Sequence, residues 1–169
     1  MFENQVNDKT ETKAERNLDR QSDKFCFMFW FRECNSLPYK RKINVYNLTA
    51  HYSMTKKGYN AVCNEMDAGR GGNEIASALV PILKNVLAEN DNIEKLFLWS
   101  DSCVPQNKNS FMVTALKIIL HKHPNLKEIE HKSCCPEHSS IQEVDNIHSS
   151  IEKALKVCEV YSPSGFDKG

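Results

Sequence analysis

The sequence predicts an α/β fold built on one mixed sheet with helices on both faces. Three observations carry that prediction. Short apolar runs of strand length alternate with segments whose apolar residues recur every three or four positions. The first three strand-like runs follow one another with only turns between them, as in an antiparallel meander. The length of 169 residues, with 40% apolar and 9% aromatic content, suits one compact domain rather than two.

Phe25–Phe31 (FCFMFWF) is uncharged, aromatic and too short for a buried helix, so it reads as a central strand. Tyr39–His51 alternates imperfectly, with Ile43, Val45 and Asn47 on one side and Asn44, Tyr46 and Leu48 on the other, as a half-exposed strand does. Ser53–Gly58 carries a turn signal, and Tyr59–Asn64 resumes as a third strand. Ile75, Leu79, Ile82, Leu83, Val86 and Leu87 then mark an amphipathic helix with Asn73 as its expected cap. Pro81 predicts a kink there, or a regular helix that begins only near the proline, because an interior proline costs about 3 kcal/mol. Lys95–Trp99 (KLFLW) reads as a strand buried on both faces that ends in Ser100-Asp101. A helix over Phe111–Leu120 capped by Asn109, a strand over Lys127–Lys132 and a last amphipathic helix through Ile141, Val144, His148, Ile151 and Leu155 complete the order.

Residues 1–24 are polar and poor in apolar side chains, so they read as a disordered leader or frayed helix ahead of a domain spanning 25–166, with a tail of 167–169. No long apolar run or secretory signal is present, so the expectation is an intracellular protein with no membrane partner; the nucleus is compatible, and no localisation signal stands out. The 22 basic and 22 acidic residues give zero formal charge. That removes the general basic excess common among nucleic-acid binders and leaves only a local patch open. Seven cysteines without a repeated C-x-x-C spacing argue against a disulfide scaffold, and most are expected as small buried hydrophobes.

The element order resembles the ribonuclease H-like fold of ribonucleases H, retroviral integrases and cut-and-paste transposases. Local motifs extend the resemblance. Trp99-Ser100-Asp101-Ser102-Cys103 with Gln106-Asn107-Lys108-Asn109, and Glu137-His138 with Glu143-Val144-Asp145 and His148, resemble paired signatures of an uncharacterised transposon-associated domain. Tyr39-Lys40-Arg41, Tyr46-Asn47-Leu48 with His51, and Glu65 with Arg70-Gly71, Asn73-Glu74-Ile75 and Ser77 stand where that domain has its upstream pieces. The match runs from Phe25 to Phe166.

That resemblance implies phosphodiester chemistry on DNA or an RNA–DNA hybrid. In such chemistry, acids from separate elements hold two Mg²⁺ or Mn²⁺ ions roughly 4 Å apart. Asp101 takes the place of the acid after the fourth strand, and Asp145 that of the acid on the last helix, with Glu143 as the rival for the latter. The first-strand acid is replaced by Trp30 in the favoured alignment, and an indole does not ligate a metal; a shifted frame offers Asp23. The implied chemistry is therefore degenerate, and Glu65 is a candidate substitute acid. His138, preceded by Glu137 rather than glycine, is expected to orient a carboxylate or phosphate. Gln106, Asn107, Asn109 and Arg70 are candidates for phosphate binding or for fixing the loop.

Each residue also has a plainer role. Asp101 suits a turn, Asn107 and Asn109 suit caps, Asp145 suits a solvated helix face, and Arg70-Gly71-Gly72 suits a tight turn. Cys134, Cys135 and His138, near His121, His123 and His131, form the densest soft-ligand cluster, but their spacing matches no common zinc motif and zinc is not expected. No phosphate-binding glycine loop of a nucleotide site is present. The expectation is thus a transposase- or integrase-derived domain, with a non-catalytic nucleic-acid or protein interaction module as the alternative and a zinc-stabilised structural domain as the next. Protein partners and oligomeric state are not legible.

Overall fold

The computed structural model describes residues 2–21, 25–34, 44–101, 103–133 and 142–157. Helix α1 (Phe2–Gln21) precedes β1 (Phe25–Cys34), β2 (Val45–Tyr52) and β3 (Lys57–Asn64). Then come α2 (Gly72–Glu89), β4 (Lys95–Ser100), α3 (Val104–Asn107), α4 (Ser110–Lys122), β5 (Glu128–Ser133) and α5 (Gln142–Val157). The five strands form one sheet in the order β3-β2-β1-β4-β5. β2 pairs antiparallel with both β1 and β3, whereas β4 pairs parallel with β1 and β5. Connection length explains the mixture: the short turn between β2 and β3 can only reverse the chain, while α2 and α4 carry it back for parallel pairing. In that turn Lys56 takes φ +55°, the left-handed conformation that closes it.

The two sheet faces are covered differently. Leu48, Ala50 and Tyr52 of β2 and Leu96 and Leu98 of β4 join Ile75, Leu79, Leu83 and Val86 of α2 and Met112 and Ile119 of α4 in one apolar core. Intervening residues point the other way. There Trp99 of β4 meets Asp19 of α1. A Cβ on Gly58, which pairs with His51, would lie 3.0 Å from Ile147 of α5. α1 and α5 therefore cover the second face.

Several expectations are corrected. α2 is continuous through Pro81, which lies on the exposed side of the helix. The carbonyl it leaves without a partner belongs to Ser77, also exposed, so water can satisfy it. Gly71 is the N-cap of α2, and Asn73 sits inside the first turn. Residues 2–21 are helical, and Arg16 and Asp19 are buried; ion pairing anchors a segment too polar to dock through apolar burial. Cys63 and Cys103 are free and half-buried rather than core residues, and burial with nearby Asp67 and Glu74 pushes the Cys63 thiol up. The expectations for Asp23, residues 39–43, Ser102, residues 134–141 (Cys134, Cys135 and His138 among them) and the chain after 157 lie outside the described residues.

Candidate functional site

The exit of β4 builds the candidate site. Asp101 follows the last strand residue, and its Oδ1 accepts the Cys103 backbone N–H at 3.2 Å and the side-chain amide of buried Asn107. Asn107 also donates to the Asp101 carbonyl at 3.5 Å. One carboxylate oxygen therefore closes the turn into α3. Oδ2 accepts no hydrogen bond among the described residues.

Asn109 completes the turn into α4. Its Oδ1 caps that helix by accepting from Met112 N at 3.0 Å, while Nδ2 donates to the carbonyls of Pro105 and Gln106 at 3.0 and 2.9 Å. The amide is engaged in contacts that fix the loop, one of the two roles expected of it. Gln106 donates to the carbonyl of Arg70 at 3.3 Å, and the Arg70 residue is exposed beside the start of α2. A Cβ on Gly72 would fall 2.3 Å from Asn109 Nδ2 and 2.9 Å from the Pro105 carbonyl. Glycine at 72 thus lets the α2 N-terminus approach the loop, a stronger demand than a tight turn makes.

Strand register sets Trp30 beside Asp101. Met28 of β1 pairs with Trp99 of β4, so two residues further on Trp30 stands level with Asp101. Trp30 pairs with Thr49, and Thr49 with Asn60. The row across the sheet therefore reads Asp101, Trp30, Thr49, Asn60, with a 2.8 Å hydrogen bond from Thr49 to Asn60. On β1, the residue level with Asp101 is Trp30.

Strand order sets Glu65 apart from Asp101. Glu65 follows β3, five residues beyond Asn60 and three strand positions from β4. At about 3.3 Å per residue and 4.8 Å per strand, it is displaced roughly 17 Å along the sheet and 14 Å across it. Its side chain accepts from Asn44 at 3.0 Å. Glu65 is thus too far from Asp101 to replace the first-strand acid, although both follow the carboxyl ends of their strands on the same side of the sheet. Asp145 and Glu143 are half-buried in α5, on either side of the buried Val144, and Asp101 Oδ1 is engaged by the turn into α3. Among the described residues, no three or more His, Cys, Asp or Glu side chains form a group able to hold a metal ion.

Sequence reasoning missed two polar pairs. Ser100, fully buried, donates to the Asp101 carbonyl at 3.0 Å and lies 2.9 Å from His131 Nε2. Burial, reinforced by the Lys108 charge, pushes the His131 imidazole below its ordinary pKa. His131 therefore braces β4 from β5; His121 is exposed near the end of α4 and His123 is its C-cap, so these three histidines have separate roles. The second pair is Lys132 with Asp19 of α1 at 2.8 Å and Glu15 at 2.6 Å. Burial opposes the Lys132 charge, but hydrogen bonds and attraction from the two acids more than offset it and raise the ammonium pKa. Neither pair has a periodic signature; each depends on register between distant segments.

These arrangements define the class at the level of fold: a mixed five-stranded sheet flanked by helices, with an acid leaving β4. A chain of the simian T-cell lymphotropic virus intasome, solved in complex with the PP2A regulatory subunit B56 gamma, is similar in structure. The TM-score is 0.51 at 10% identity, over 85% of this chain and 46% of that one. This chain spans about half the length of that relative. The N-terminal RNase H domain of rv2228c from Mycobacterium tuberculosis, solved as a maltose-binding-protein fusion, is a more distant match. It has a TM-score of 0.40 and 8% identity over 79% of this chain and 98% of that one. The intasome likeness places the fold among ribonuclease H-like, integrase-like folds; it does not extend to the transposon-associated domain that the sequence motifs resemble. No protein-family model matches the sequence, and no curated protein does. Among the described residues, no helix is long and apolar enough to cross a membrane.

Proposed function

We propose that the chain is a ribonuclease H-like domain of transposase or integrase descent, related to the transposon-associated domain its motifs resemble. Its divalent-metal phosphodiester chemistry is degenerate, and it engages DNA or an RNA–DNA hybrid without cleaving it. The observation that supports this reading best is the register that sets Trp30 level with Asp101. Two-metal chemistry needs an acid at that place to share an ion with the one leaving β4. Asp101 and Asp145 are then remnants of the Mg²⁺ or Mn²⁺ site, and Arg70 with Gln106 flanks the strand exit where a phosphate backbone would pass.

The test is a nicking assay on DNA and RNA–DNA hybrids in Mg²⁺ or Mn²⁺, with binding followed across a salt series. The expected result is no metal-dependent cleavage, together with binding that weakens at least about tenfold between low and physiological salt. Cleavage abolished by Asp101→Ala would overturn the degenerate reading. Failure to bind either nucleic acid would leave a protein interaction module. The Trp30→Asp variant is expected to gain Mn²⁺ affinity, lost again when Asp101→Ala is added.

A further inference from the structure

The second sheet face carries a feature that the proposed function does not use. Phe97 and Trp99 stand two residues apart on β4 and are both buried on that face. Lys132 of neighbouring β5 lies over both rings, 4.9 Å from the Phe97 centroid and 5.5 Å from that of Trp99. Lys95 lies 4.9 Å from the Phe97 centroid. Two aromatic side chains spaced along one strand, with a cation between them, can stack successive bases and meet the linking phosphate.

In this structure α1 occupies that place. Asp19 accepts the Trp99 indole N–H at 3.3 Å and the Lys132 ammonium at 2.8 Å through the same oxygen. Glu15, one helical turn earlier, takes Lys132 at 2.6 Å. The two lysines differ in where their partners come from. Lys95 pairs with Glu128 and Glu130 of β5, at 3.0 and 3.2 Å, so moving α1 would not free it. Lys132 has its two short contacts from α1, while Glu130 of its own strand is more distant at 3.6 Å. Releasing α1 would therefore leave Lys132 with only the more distant Glu130 and free the Trp99 indole N–H at the same time.

We infer that α1 is a detachable strap whose Asp19 and Glu15 carboxylates occupy the phosphate position of a latent single-strand-binding platform formed by Phe97, Trp99 and Lys132. The inference deepens the nucleic-acid reading above and rests on it. The helix is suited to the part: residues 2–21 are mostly polar, Leu18 is exposed, and the short contacts that tie it to the sheet are ionic and hydrogen-bonded.

The experiment uses the full chain and a short fluorescein-labelled oligodeoxythymidine. In the Glu15→Gln/Asp19→Asn double variant, amides of residues 10–19 are expected to exchange with deuterium about tenfold faster, because the ammonium loses the two counter-charges that α1 supplies. The same variant is expected to bind the oligonucleotide about tenfold more tightly than the wild type, and Lys132→Met added to it to cancel the gain. A synthetic peptide of residues 2–21 should compete with the oligonucleotide on the double variant. A released strap with unchanged affinity overturns the inference, as does a strap that stays protected. If the double variant does not fold, Glu15→Gln alone carries the test, because that side chain is 55% exposed; a gain of about threefold is expected, and no gain overturns the inference. Equal single-strand binding by wild type and variant, with hybrid binding retained, defeats the strap alone, whereas binding of neither hybrid nor single strand by any form defeats the nucleic-acid reading itself.

Discussion

The two faces of the sheet are held by different physics. Against α2 and α4 the contacts are almost all apolar: Leu79, Leu83 and Val86 are at most 1% exposed and pack on Leu48, Leu96 and Leu98. Against α1 and α5 the buried set includes Arg16, Asp19, Asn47, Thr49 and His148. The Oδ1 atom of Asn47 is buried with no hydrogen-bond partner. Apolar burial is non-directional and tolerates small shifts, whereas buried polar groups stabilise only when every partner is met. The first face is therefore the source of the fold's stability, and the second is where specific, reversible contacts reside.

The largest expected effect tests the first half of that contrast. Leu83→Ala removes a fully buried side chain from the α2 face and should cost about 3–4 kcal/mol in chemical denaturation, with an unchanged dependence on denaturant. A loss under about 1 kcal/mol would show that this face is not the main support. The counterpart on the second face is Asp19→Ala, whose side chain is 3% exposed against 14% for Lys132. It should cost about 2 kcal/mol, less than the fullest cost of breaking a buried pair, because Lys132 keeps Glu15. Its effect should be concentrated in α1, as faster amide exchange over residues 10–19, with β4 and α2 little changed. A uniform loss of protection would erase the distinction between the faces.

What the sequence revealed follows the same division. The α2, β4 and α4 segments were legible because their apolar residues repeat with helix or strand period against one common core. The continuity of α2 through Pro81 was not, because the cost of the proline depends on whether Ser77 faces water, a fact of packing rather than pattern. Asp101 could be singled out at the strand exit, but its engagement by Asn107 could not, since the same residues suit a turn or a metal ligand. Trp30 as the replacement for an acid came from motif alignment, and strand register sets it level with Asp101. The displacement of Glu65 depends on strand order, which local sequence does not encode. The anchoring of α1 by Lys132 joins residues 113 positions apart and could not be read from composition.

A smaller effect belongs to the loop that connects the apolar face to the strand exit. Asn109→Ala deletes the cap of α4 and should cost about 1 kcal/mol, because water can replace part of what the amide gives to the Pro105 and Gln106 carbonyls. Its sharper signature is local: if Asn109 fixes the loop, amides of residues 101–113 should exchange faster, and unchanged exchange there would leave the cap without that role.

The subtlest test concerns the polar pair within the apolar face. His131 is held neutral beside Ser100, with its pKa lowered chiefly by burial and further by Lys108. A base whose folded pKa is depressed binds fewer protons folded than unfolded, so its stabilising contribution is full above the ordinary histidine value near 6.5 and diminishes as pH falls below it. Carboxylates titrate mainly below about pH 5, so a melting series between pH 7 and about 5 separates the histidines from them, and the variant picks out His131. The wild type should lose stability over that interval, and His131→Gln should flatten the loss. At the alkaline end Tyr52, buried in the same face, has its pKa raised to about 12 by burial and then by Tyr59. Its contribution is full below the ordinary value near 10 and is lost as pH rises through 12; Lys132 on the opposite face acts in the same direction. Tyr52→Phe should therefore ease the alkaline loss without changing the acid limb. If both limbs respond to His131→Gln alone, the apolar face is not the independent unit that its packing implies.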